Sequence, residues 1–233
     1  MKSRNVLPIM LVTCLSLAMI SESASAAPKI KIDSTHFDFG HTPEGLPVLH
    51  KYWAYNVGTD TLKISMVRVS CGCTSVPLNK KNLAPGDSVG LELKFDTKRF
   101  KGQISKTATV VSNDPAQPEV TLHFTSRVGL WEGAIVGNHS QIYLDTLGKT
   151  EQTISLKNTS TSPYKISVLS PVADYMDFAI SATEIPAKGE VALTFRTTPK
   201  TPLGEYNTSV TLRFEGPQTQ NISIPVFGVG YLP

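Results

Sequence analysis

The strongest constraint on this chain is that it carries one pattern twice. Gly102-Gln103-Ile104-Ser105-Lys106-Thr107-Ala108-Thr109-Val110 is answered 102 residues later by Gly204-Glu205-Tyr206-Asn207-Thr208-Ser209-Val210-Thr211-Leu212. The same offset places Asn56 on Asn158, Lys63-Ile64-Ser65 on Lys165-Ile166-Ser167, and Val120-Thr121-Leu122 on Ile222-Ser223-Ile224. Leu91, Leu93, Phe95 and Thr97 fall on Val191, Leu193, Phe195 and Thr197 once a two-residue loop difference is allowed. Segments recurring in one order at nearly one offset mark a duplicated structural unit. The expected organisation is a leader over residues 1–26, one unit over 27–129 and a second over 130–233.

Each copy reads as strands. Leu91, Leu93 and Phe95 alternate with Glu92 and Lys94, and Val191, Leu193 and Phe195 alternate with Ala192, Thr194 and Arg196. A period of two with polar partners describes a sheet with one dry and one wet face. Turn clusters separate the runs: Pro43-Glu44-Gly45, Gly58-Thr59-Asp60, Ala84-Pro85-Gly86-Asp87, Asn113-Asp114-Pro115 and Ala187-Lys188-Gly189. No stretch keeps a helical period. Short strands with frequent turns in a unit of roughly 100 residues predict an all-β chain of two tandem immunoglobulin-like β-sandwiches. The short Gly129–Gly133 connection predicts a limited hinge rather than a long tether.

The first 26 residues read as an address. Lys2 and Arg4 precede an uncharged run from Val6 to Ile20, followed by Ser23-Ala24-Ser25-Ala26-Ala27. A basic start, a short apolar run and an Ala-x-Ala site are the parts of a secretory signal peptide, with cleavage expected after Ala26. The apolar run of 15 residues is short of the roughly 20 that span a bilayer, so no transmembrane segment is expected in the mature chain. Cys14 lies inside the run and is lost with it. The expected location is the bacterial periplasm or cell surface. There Cys71 and Cys73 meet oxidising conditions, which favour a bridge or a bound metal. With 40% hydrophobic and 18% charged residues, a disordered polyelectrolyte is excluded. A net charge of +3 is too small to argue for nucleic acid.

Five short motifs in order, Phe37-Asp38-Phe39-Gly40, Ser70-Cys71-Gly72-Cys73-Thr74, Ala84-Pro85-Gly86-Asp87, Phe95-Asp96-Thr97 and Ser112-Asn113-Asp114-Pro115 with Pro118, cover residues 35 to 128. They resemble a bacterial domain-of-unknown-function family, the one numbered 1573. That family is similar to the Hydin-type (ASH) and major-sperm-protein branch of immunoglobulin-like folds. The resemblance implies an exported, non-catalytic module. The second copy departs from it, with Ala173-Asp174-Tyr175 where the cysteines would fall and no Asn-Asp-Pro. The fold therefore carries to both copies and the cysteine motif only to the first.

Cys71-Gly72-Cys73 is the one obvious piece of chemistry. In an extended strand, residues two apart lie about 6.6 Å from each other, near the upper limit a disulfide spans. A Cys71–Cys73 bridge is thus expected to be strained and easily reduced. Two thiolates on one short loop also suit Cu(I), so copper is the metal to consider at Cys71 and Cys73. Zinc normally takes four closed ligands, and His36, His41, His50, His123 and His139 show no paired spacing. A third reading leaves both cysteines as structural groups beside the core.

Other signals are weaker. The first copy holds 13 basic against 9 acidic residues and the second 7 against 9. Lys94, Lys98, Arg99, Lys101 and Lys106 form a basic edge, which either contacts an anionic glycan or lipid headgroup or simply guards a strand against stray pairing. Tyr206 after Gly204 resembles a tyrosine corner, a packing device. Asn138, Asn158, Asn207 and Asn221 open N-glycan sequons, which a bacterial periplasm leaves silent. Asp60-Thr61-Leu62, Asp87-Ser88-Val89 and Asp145-Thr146-Leu147 resemble Bacteroidota O-glycosylation acceptors and equally fit turns. No Gly-x-Ser-x-Gly elbow, His-Glu-x-x-His pair or phosphate-binding glycine loop occurs in the sequence, and no catalysis is expected. The leading expectation is a non-enzymatic envelope protein, a tandem immunoglobulin-like interaction or scaffold module with an envelope protein partner. The alternatives are thiol-redox or copper handling through Cys71 and Cys73, and a pilus-type chaperone. The last predicts an exposed alternating edge strand, for which Val120-Leu122-Phe124 is the candidate.

Overall fold

The computed structural model describes residues 26–129 and 131–232. Residues 1–25, with Cys14 and nearly all of the expected signal peptide, lie outside the described residues. The described residues contain strands and turns and no α-helix. Among them, no helix is long and apolar enough to cross a membrane.

The first unit runs through β1 (Ile30–Ile32), β2 (His36–Thr42), β3 (Pro47–Asn56), β4 (Leu62–Val69), β5 (Thr74–Ser75), β6 (Asn82–Leu83), β7 (Ser88–Asp96), β8 (Gly102–Ser112) and β9 (Glu119–Val128). The second runs through β10 (Ile135–Gly137), β11 (Ile142–Asp145), β12 (Glu151–Asn158), β13 (Tyr164–Ser170), β14 (Met176–Ile180), β15 (Glu184–Ile185), β16 (Glu190–Thr197), β17 (Gly204–Glu215) and β18 (Gln220–Gly230). The two units correspond strand for strand. One sheet has the order β1-β3-β7-β5 in the first unit and β10-β12-β16-β14 in the second. The facing sheets join into a single run, β15-β13-β17-β18-β2-β9-β8-β4-β6, with β11 beside β18. Both copies lay an early strand parallel to their last one, β2 on β9 and β11 on β18.

Alternation explains each sandwich. Leu91, Leu93 and Phe95 point inward from β7 onto Phe39, Tyr52, Leu122 and Phe124, and all are buried. Phe39 meets Phe124 edge-on, with ring centroids 5.9 Å apart. Val191, Leu193 and Phe195 do the same in the second unit against Leu212, Phe214 and Ile224. Each such side chain contributes about 1.5–3 kcal/mol by leaving water. Tyr206 donates its hydroxyl to the Leu144 carbonyl at 3.2 Å, pinning β17 to β11.

The repeated asparagine is a turn clamp. Asn56 is fully buried; its amide donates to the carbonyls of Asp60 at 2.8 Å and Leu83 at 2.9 Å, and its oxygen accepts from Gly58 N–H at 3.0 Å. Asn158 repeats this with Ser162 at 2.7 Å, Pro186 at 2.9 Å and Ser160 N–H at 2.9 Å. Its nitrogen is therefore engaged inside the fold, and the Asn158 sequon presents no free amide. Asp60, Asp87 and Asp145 accept local backbone N–H groups, as turn residues do.

The sandwiches meet through polar residues. The outer face of β17 and β18 is covered by the first unit, burying Ser209, Thr211 and Ser223. Ser223 donates to the Phe39 carbonyl at 2.7 Å, and Thr211 bonds Ser223 at 2.8 Å. Asn221 donates to the Asp38 carbonyl at 3.0 Å. Gly40, at φ +63°, sits where any Cβ would overlap the Asn221 carbonyl. The connection at Gly129–Gly133 is thus backed by a hydrogen-bonded face.

Candidate functional site

Cys71 and Cys73 form a disulfide. The chain is not extended there. Gly72 and Cys73 occupy a turn between β4 and β5, and the two Cα atoms are 5.2 Å apart. That lies inside the ordinary range for a disulfide, so the stretched span expected from strand geometry does not arise.

Backbone bonds on both sides hold the loop. Ser70 N–H donates to the Thr107 carbonyl at 3.0 Å, and Asp96 N–H donates to the Cys73 carbonyl at 2.8 Å. Thr74 pairs with Phe95, and its hydroxyl lies 3.5 Å from Cys71 Sγ and 3.7 Å from Cys73 Sγ. A bridge closing only three residues removes little unfolded-state entropy. The chain-entropy relation gives about 1.6 kcal/mol, against about 3 kcal/mol for a 15-residue loop. The bridge is a minor contributor to a loop already fixed by its neighbours.

The β5–β7 pairing also decides what faces the sulfurs. It delivers the β7–β8 turn, so Asp96, Lys98, Arg99 and Phe100 join Cys71 and Cys73 around an open cleft of about 490 Å³. Lys106 Nζ stands 5.3 Å from the centre of the Phe100 ring. The cleft therefore carries more positive than negative charge around a partly buried bridge. Of the basic residues singled out in the sequence, Lys98, Arg99 and Lys106 gather here. Lys101 instead pairs with Glu44 at 3.6 Å, and Lys94 opposes Leu49 and Ser75 in the sheet. Phe100 gave no signal beyond being an aromatic within a run of cations.

Two further groupings were invisible in the sequence. His36 and His123 stack at 4.8 Å because parallel strands β2 and β9 place them in register. His50 stacks on Phe37 at 3.5 Å; burial pushes its pKa down to about 4, with the Asp33 charge opposing in part. A second cleft, of about 440 Å³, lies between the units, with Leu49, Lys51, Trp53, Pro171, Asp174 and Thr208 in its walls. Among the described residues, no three or more His, Cys, Asp or Glu side chains cluster together. The Val120-Leu122-Phe124 run is not an exposed edge. β9 lies between β2 and β8, and all three side chains are buried.

Residues 30–128 match DUF1573, described as a protein of unknown function. The DUF1573 match thus covers the first unit, the one with the disulfide. Among solved structures, a protein of unknown function from Porphyromonas gingivalis W83 is similar at 14% identity, over 84% of this chain and 98% of that one, with a TM-score of 0.36. The ASH / PapD-like domain 7 of human CEP192 is similar at 14% identity over 54% of this chain and 100% of that one, with a TM-score of 0.39. The CupB2 chaperone of Pseudomonas aeruginosa is similar at 7% identity over 83% and 98%, with a TM-score of 0.32. No curated protein matched the chain.

Proposed function

We propose that this chain is a non-enzymatic interaction and scaffold protein of the bacterial cell envelope, exported by its first 26 residues. The observation that carries the reading is the face between the units. Buried Ser209, Thr211 and Ser223 bond backbone groups of the first unit or one another. Two sandwiches locked at a fixed angle present surfaces of both units to a partner at little entropic cost on binding. The inter-unit cleft, with Trp53 40% exposed and Lys51 Nζ 5.9 Å from its ring, supplies an aromatic anchor of the kind that dominates interfaces.

The test is crosslinking and affinity capture from intact cells, with fractionation of the envelope. The expected result is recovery in the periplasmic or surface fraction together with an envelope protein. That protein is lost with Trp53→Ala at unchanged abundance of the bait. Recovery in the cytoplasm, or capture without any envelope partner, overturns the reading.

A further inference from the structure

The disulfide cleft has features that structural bridging alone leaves unexplained. The bridge spans one glycine, its loop is fixed by backbone bonds that do not involve the sulfurs, and it opens into a cleft carrying Lys98, Arg99 and Phe100. We propose that the Cys71–Cys73 bridge is a thiol–disulfide exchange site whose partner is a reduced dithiol on an acidic segment of another protein.

The two sulfurs are not equivalent. Both are half-buried, but Cys73 packs against the hydrophobic core of the first unit, whereas Cys71, which follows Ser70 after β4, is not among the side chains packed there. A partner thiolate attacks Cys71 Sγ; the S–S bond breaks and Cys73 leaves as a thiolate. The second partner thiolate then attacks the partner's own sulfur in the mixed disulfide, and Cys71 leaves. The partner's dithiol is oxidised to a disulfide, and Cys71 and Cys73 are reduced, taking up the two protons that the partner's thiols lose. Lys98 and Arg99 favour both the incoming and the departing thiolate by charge, and the Thr74 hydroxyl lies within reach of either sulfur. Because Ser70 and Asp96 hold the loop by backbone bonds, the turn survives reduction and can be reoxidised. The inference does not depend on the scaffold role.

The probes are two monothiols of opposite charge, glutathione (anionic) and cysteamine (cationic), applied to the purified protein with alkylation and peptide mapping of the Cys71–Cys73 segment. The expected result is reduction by both, with glutathione slowed more steeply than cysteamine as salt is added, because the attacking glutathione thiolate is anionic and the cysteamine thiolate carries no net charge. Lys98→Glu with Arg99→Glu should slow glutathione by about tenfold and cysteamine much less. Alkylation early in the reduction of the wild-type protein should find the mixed disulfide with glutathione on Cys71 and the alkyl group on Cys73 more often than the reverse. A bridge that resists both thiols in the folded protein overturns the proposal. So do rates indifferent to salt and to charge reversal; the salt arm needs no variant and decides the matter if the double variant fails to fold. Equal amounts of the two mixed disulfides overturn the assignment of Cys71 as the attacked sulfur.

Discussion

The hydroxyl of Ser209 occupies both hydrogen-bonding positions of Leu49, accepting from its N–H at 2.8 Å and donating to its carbonyl at 3.2 Å. Leu49 belongs to the stretch of β3 that pairs with β7 on one side and, among the described residues, has no strand on the other. An open strand edge invites pairing with another chain. Here Ser209 from the second unit closes it, with the Ser170 hydroxyl 3.5 Å from the same carbonyl.

Ser209→Ala leaves the partly buried Leu49 N–H without its partner and the Leu49 carbonyl with only the Ser170 hydroxyl at 3.5 Å. The expected loss is about 1–3 kcal/mol. The loss should appear as uncoupling: one unfolding transition in denaturant splits into two, and proteolysis becomes faster at the 129–133 connection. A single transition with unchanged midpoint would contradict the role given to this contact.

Much of the architecture was legible because the inward residues of β7 and β16 alternate with polar ones, and one alternating strand looks like another. The same regularity hid the contact between units. Thr121 and Ser223 occupy equivalent places in equivalent strands, yet Thr121 is exposed and Ser223 is buried under the first unit. Composition cannot separate a polar residue that meets water from one that meets a backbone carbonyl. The cysteine pair was readable at once. Its setting was not, because Lys98, Arg99 and Phe100 reach the bridge only through the β5–β7 register.

The repeated asparagines clamp equivalent turns in the two units. Asn56→Ala strands the carbonyls of Asp60 and Leu83 and the N–H of Gly58, and Asn158→Ala does the same to its own turn. Each should cost about 2–4 kcal/mol, more than one neutral hydrogen bond, since several buried groups lose their partner together. Denaturant titration of the two variants should give losses of similar size.

Lys188 tests the duplication from the other direction. It adopts φ +59°, the left-handed conformation that the corresponding Gly86 adopts at +81°. A side chain there costs roughly 1–2 kcal/mol, offset in part by the bond from Lys188 Nζ to the Thr159 carbonyl. Lys188→Gly is expected to stabilise by about 0.5–1 kcal/mol, seen as a higher melting temperature. Gly86→Lys should destabilise.

Acid stability should depend on His50. Its folded pKa of about 4 lies below the usual 6.5 because burial disfavours the charged ring. Between those values the unfolded chain binds a proton that the folded chain does not, so stability falls as pH drops from about 6.5 to about 4. Over the full window the penalty is about 2–3 kcal/mol. His50→Phe keeps an aromatic ring against Phe37 and removes the proton site. The variant's stability should vary less with pH in this range, whatever its absolute value at pH 7. Parallel curves for the two proteins between pH 4 and 6.5 would show that His50 is not the group responsible.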